Sequence, residues 1–209
     1  IWLGIGGDDK GRSGDLARRA LALMAHRGPD ARDILDLTVA GRPVELGHAR
    51  LSIIDLDPRA PQPMRRSDGL AIVFNGEIYN FVELRDELGK LGHAFTTSSD
   101  TEVLLAAYAA WGTAMLPRLR GMFAFVLLDA PRRKVLLARD PFGIKPLFWA
   151  GTRTGLAAAS EIAPLLEAVG AGGEPVDVPD IGEHACLSRG AELRGIEPAL
   201  DVRQSRRVE

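Results

Sequence analysis

The order in which apolar runs follow one another restricts this chain more than any single motif. After an opening run, IWLGIGG, come a helix-like stretch, strand-like runs, two helix-like runs side by side, and four more strand-like runs. Neither a strict βαβ alternation nor an all-β barrel fits that order, whereas a sandwich of sheets covered by helices does. In DLARRALALMAH, Leu16, Ala20, Leu23 and Met24 recur near helical spacing behind Ser13 or Asp15 as cap, and Gly28-Pro29 ends the helix. Strands are expected over 34–39 and 44–54, separated by turn residues 41–43. In LAIVFNGEIYN an apolar strand over 70–74 runs into Asn75-Gly76, a pair suited to unusual backbone angles and read as a sharp exposed turn. Phe81, Leu84, Leu88 and Leu91 mark a helix with Asn80 as cap and Gly92 as stop. SSDTE opens another, with Ser99 and Glu102 at capping-box spacing and a buried face of Val103, Leu104, Ala107, Tyr108 and Trp111. GMFAFVLLD, KVLLARD, KPLFWA and GLAAAS read as a buried meander, and EIAPLLEAV as a closing helix.

With 209 residues, one sizeable domain is expected over 1–168, and the Gly-, Pro- and charge-rich stretch 169–209 reads as a linker or loosely packed tail. A chain that is 46% hydrophobic and 26% charged has the make-up of a folded soluble protein. Its formal charge of -2, without a basic stripe, gives no footprint for nucleic acid. Cys186 is a lone cysteine, which suits a reducing compartment, and a cytoplasmic location is the expectation. No apolar run approaches the ~18 residues of a membrane span, and the first residues lack the pattern of a signal peptide.

Few residues carry chemistry on their own. GIGGDDKG lacks the third glycine of a dinucleotide fingerprint and the GK[ST] of a phosphate loop, so no nucleotide cofactor is expected. His26, His48, His93 and His184 have no metal-ligand spacing, so no metal site is expected, and Cys186 reads as a small apolar residue more readily than as a nucleophile. In VFNGE the Asn75 carboxamide and the Gly76 N–H are two neutral donors that could converge on a developing oxyanion, although such pairs are most often plain turns. Arg50 and Asp100 are individually bland, a surface charge and a helix-start carboxylate. As a set they could hold a zwitterionic amino acid, the arginine on its carboxylate and the aspartate on its ammonium.

Taken in order, HRGPD, LGHARLSIIDLDPRAPQPM, VFNGEIYNFVELRDEL, SSDTEVLLAAYAAWG, LRGMFAFVLLD, LARDPFGIKPLF and ASEI closely resemble the N-terminal glutaminase domain of the asparagine synthetase family. That domain is a class II glutamine amidotransferase, and the resemblance covers roughly residues 2–168. It implies an α+β fold of the Ntn-hydrolase type, a four-layer αββα sandwich of two antiparallel sheets. In that family an N-terminal cysteine attacks the side-chain amide of glutamine, its own α-amine acts as base, and the ammonia passes to a domain that activates a carboxylate with ATP. Carried over, Asn75 and Gly76 match the oxyanion hole, Arg50 matches the residue that holds the substrate carboxylate, and Asp100 with Glu77 matches the ammonium side.

The resemblance also brings out a departure. Aligning Gly4-Ile5-Gly6-Gly7 with the family's Gly-Ile-Ala-Gly puts Leu3 at the nucleophile position, where an alkyl side chain cannot ionise or attack, and two residues precede it, so its nitrogen is an amide. The chain also lacks the SGGxDS string of the ATP-using domain. Three readings remain open: a pseudo-glutaminase that serves a separate ATP-dependent amide-forming synthetase, in the manner of the β-lactam synthetases that lack the cysteine; an active glutaminase whose N-terminus is altered; or a module that binds glutamine or a related amino acid and reports it to a partner.

Overall fold

Two antiparallel sheets lie face to face, each backed by a pair of helices, in a computed structural model that describes residues 1–6, 13–28, 31–50, 61–152 and 155–169. The first sheet has five strands: β1 (Trp2–Ile5), β2 (Ala31–Val39), β3 (Arg42–Arg50), β8 (Phe148–Thr152) and β9 (Gly155–Ala159), in the order β2-β3-β1-β9-β8. The second has four: β4 (Met64–Arg65), β5 (Leu70–Ile78), β6 (Gly121–Asp129) and β7 (Lys134–Arg139), in chain order. Helices α1 (Ser13–Leu23) and α4 (Ile162–Val169) cover the first sheet, and α2 (Phe81–Lys90) and α3 (Asp100–Trp111) cover the second. This is the expected α+β sandwich.

Strand alternation sorts the side chains into layers. Leu3, Val44, Leu46 and Ala158 of the first sheet meet Ala71, Val73, Ala124, Val126 and Leu128 of the second between the sheets. The alternate residues of β5 and β6, Ile72, Phe74, Phe123, Phe125 and Leu127, face α2 and α3. Trp2 faces α1 and α4 with Leu21, Met24 and Leu165. Fully buried apolar side chains of this size contribute about 1.5–3 kcal/mol each, so the three layers supply the main driving force for the fold.

Several local expectations change in the folded chain. β5 does not stop at Phe74: Asn75 and Gly76 lie inside the strand, which runs to Ile78, so they form no turn. Gly76 has φ +149° and approaches β6 so closely that a Cβ would strike the Met122 carbonyl and Phe123 Cα. The special angle is spent on strand contact rather than on chain reversal. The β2–β3 turn is narrower than expected, with Ala40 and Gly41 both at positive φ as a two-residue loop between paired Val39 and Arg42. Residues 51–54 of the expected second strand lie outside the described residues. Asn80 stands at the start of α2 but caps nothing there. Its carboxamide donates to the Arg118 carbonyl and accepts from Arg120 N–H, at 3.0 and 2.9 Å. Leu91 is 58% exposed rather than buried.

The four late strands are two hairpins in different sheets, not one meander. β6 pairs with β7 in the second sheet, β8 with β9 in the first, and residues 140–147 carry the chain across. Asp140 holds that crossing. Its carboxylate accepts from the backbone N–H groups of Phe123, Phe142, Ile144 and Lys145 at 3.0–3.2 Å. Burial alone would raise its pKa, but the four donors outweigh it and hold the carboxyl below its ordinary value.

Candidate active site

The apolar layer between the sheets turns polar where β5 ends. Asn75 and Glu77 follow Ala71 and Val73 on the inter-sheet side by alternation, and all of Asn75, Gly76 and Glu77 are half-buried. Among the described residues β4 pairs with β5 at Ile72 and Ala71, and none of them forms a strand beside the β5 edge opposite β6 from Phe74 onward. Side chains take over that edge. Phe74 N–H donates to Gln62 Oε1 at 2.6 Å, and the Phe74 carbonyl lies 3.0 Å from His48 Nε2. Ile78 N–H donates to Asp100 Oδ2 at 3.1 Å. Between them the N–H and C=O of Gly76 face the same edge by alternation, and no described group takes its N–H.

Asp100 is the first residue of α3, whose start is fixed by Ser99 Oγ accepting from Thr101 N–H at 3.1 Å. Burial raises the Asp100 pKa, the Glu77 charge pushes the same way, and N–H donation from Ile78 and Thr101 opposes both, leaving the carboxyl above its ordinary value. A buried carboxyl whose charge is disfavoured by a neighbouring carboxylate is a ready partner for a cation. The N–H on the open edge, with the Asn75 carboxamide alongside, is suited to an anionic or carbonyl oxygen.

Of the residues singled out from sequence, Asn75, Gly76, Glu77 and Asp100 are thus brought to one place. Arg50 is the last residue of β3, in register with Ala31 and two positions beyond His48, and its side chain lies outside the described residues. Leu3 is 0% exposed in the inter-sheet core, paired with Leu46 on one side and Ala158 on the other. His48 and Gln62 were not singled out. Each acts through a contact with a strand far off in sequence, and the signals available were only a buried-strand histidine in LGHAR and a glutamine before Pro63 in the resembling block.

Comparison with known proteins bears on the family and the fold. Residues 3–183 match the glutamine amidotransferase domain family. A relative from Mycobacterium bovis is 42% identical over 99% of this chain and 32% of its own length. The asparagine synthetase [glutamine-hydrolyzing] 1 of Bacillus subtilis is 42% identical over 74% of this chain and 24% of its own. Asparagine synthetase B [glutamine-hydrolyzing] of Escherichia coli is 40% identical over 73% and 27%. The chain therefore spans about a third or less of the length of these relatives. Among solved structures, the glutamine phosphoribosylpyrophosphate amidotransferase of B. subtilis superposes with a TM-score of 0.63 at 22% identity, covering 80% of this chain and 43% of that one. A second, described as the allosteric regulatory enzyme of purine biosynthesis, gives 0.66 at the same identity and coverage. At that identity the likeness concerns the fold, which is of the Ntn-hydrolase type. No helix among the described residues is long and apolar enough to cross a membrane. By its sequence, this chain belongs to the glutamine amidotransferase domain family, of the kind found in glutamine-hydrolysing asparagine synthetases.

Proposed function

We propose that this chain is a non-catalytic member of the family, a pseudo-glutaminase that retains a glutamine pocket and acts with an ATP-dependent amide-forming synthetase. The observation that carries the reading is Leu3. The family match begins at this residue, and its side chain is an alkyl group sealed in the core with nothing to ionise. A thioester route needs a nucleophile there, and none is supplied.

The pocket reading draws support from the other side of the site. Gly76 N–H and the Asn75 carboxamide take the amide oxygen of glutamine, Asp100 and Glu77 take its ammonium, and Arg50 at the end of β3 takes its carboxylate. Calorimetric titration of the full chain with L-glutamine, with ammonia assayed in parallel, tests this. Saturable heat without ammonia is expected, and Arg50→Ala should weaken binding by about 2 to 5 kcal/mol. Sustained ammonia release overturns the non-catalytic reading, and absence of any binding overturns the pocket. The synthetase partner is tested separately, by co-purification with a protein that carries the SGGxDS string.

A further inference from the structure

We propose that Gln62 is a positioning residue for this site, one carboxamide that holds the β5 edge and the start of α3 at a fixed separation. Read in register, Met64 pairs with Ile72, so Gln62 stands where a longer β4 would pair with Phe74. The ladder stops and the side chain substitutes for it. Gln62 Oε1 accepts from Phe74 N–H at 2.6 Å, and Gln62 Nε2 donates to Thr101 Oγ1 at 3.4 Å. Thr101 is buried and follows Asp100, whose carboxylate accepts from Ile78 N–H.

These contacts close a ring: Phe74 to Gln62, Gln62 to Thr101, Thr101 to Asp100, Asp100 to Ile78, and back along β5. Gly76 lies midway along the strand side of that ring. A backbone strand in place of Gln62 would continue the ladder and pair with the Gly76 edge. A side chain ends it one step earlier and still satisfies Phe74, so among the described residues nothing takes the Gly76 N–H while its distance to Asp100 is set. His48, which reaches the Phe74 carbonyl from the other sheet, holds the next peptide of the strand, between Phe74 and Asn75.

This inference rests on the glutamine-pocket reading for its functional consequence, but its structural part can be read without ligand. Amide hydrogen exchange is measured on the full chain, its Gln62→Leu and Gln62→Glu variants, and Thr101→Val, with Ile78 as reporter of the ring and the fully buried Leu127 of β6 as reporter of the whole fold. Gln62→Leu should speed exchange at Ile78 at least tenfold relative to Leu127 and weaken L-glutamine binding at least tenfold. Gln62→Glu keeps the acceptor for Phe74 and should recover part of both. Thr101→Val cuts only the second contact and should move Ile78 in the same direction, a readout that remains if Gln62→Leu does not fold. Unchanged exchange at Ile78, or Ile78 and Leu127 rising in step, overturns the proposal. If the parent chain binds no glutamine, the pocket reading fails, and the Ile78 comparison still decides whether Gln62 positions the ring.

Discussion

Asp100 illustrates how a carboxylate of the proposed site works against the fold that holds it. Its raised pKa means that the folded chain keeps this proton more tightly than the unfolded chain does. Stability from the group is therefore fully present below the unfolded value of about 3.9 and is lost as pH rises through the folded value. At neutral pH the ionised group is a net cost. Asp100→Asn, which keeps an oxygen for Ile78 N–H, should raise the thermal midpoint at pH 7, lose that advantage near pH 4, and weaken glutamine binding. Thermal unfolding at both pH values checks it. Gly76→Ala tests the opposite case, a residue the fold cannot replace. With φ at +149° and a Cβ directed at the Met122 carbonyl, the cost should be about 3 kcal/mol or more in denaturant unfolding.

At the level of elements, the start of α3 rests on a carboxylate that reaches further back than a simple capping box. Glu102 accepts from the N–H and hydroxyl groups of both Thr96 and Thr97 at 2.8–3.2 Å, not from Ser99 N–H. Burial tends to raise its pKa, but those donors prevail and lower it. A depressed carboxyl pKa gives stability that is present above the unfolded value of about 4.3 and is lost as pH falls through the folded value. Glu102→Ala should cost about 1–2 kcal/mol near pH 7 and progressively less in acid, measured as the shift in denaturant midpoint at each pH. The Ser99 cap was legible in the sequence because capping is local, whereas the expected capping box was not formed, since Glu102 turns to Thr96 and Thr97 instead. The existence of the four helices was legible as well, since apolar spacing is local too. The extra length of β5 was not, because Asn-Gly serves a turn or a tight strand contact equally well, and only β6 decides between them. The switch of sheets after Arg139 was hidden for a similar reason: Asp140 collects its four donors from two separate parts of the chain.

For the whole molecule, the proposed site was legible in part. Asn75, Gly76, Glu77 and Asp100 could be named from the resembling blocks, and the fold brings them together. Gln62 and His48 could not, because their contacts with Phe74 join parts of the chain that local patterning does not relate. The same non-local design governs integrity. β9 lies between β1 and β8, and α4 follows it to cover Trp2, so a chain ending after residue 169 should retain one cooperative thermal transition. A chain ending after residue 152 should lose it, with circular dichroism on heating as the check. β1 also sits inside its sheet, between β3 and β9. Of the nine strands described it is synthesised first, yet one of its edges finds no partner until residues 155–159 exist, on the order of ten seconds later at ordinary translation rates. Throughout that interval the Leu3 strand is an apolar edge open to mispairing, so the yield of this domain depends on how well the nascent chain is shielded until β9 arrives.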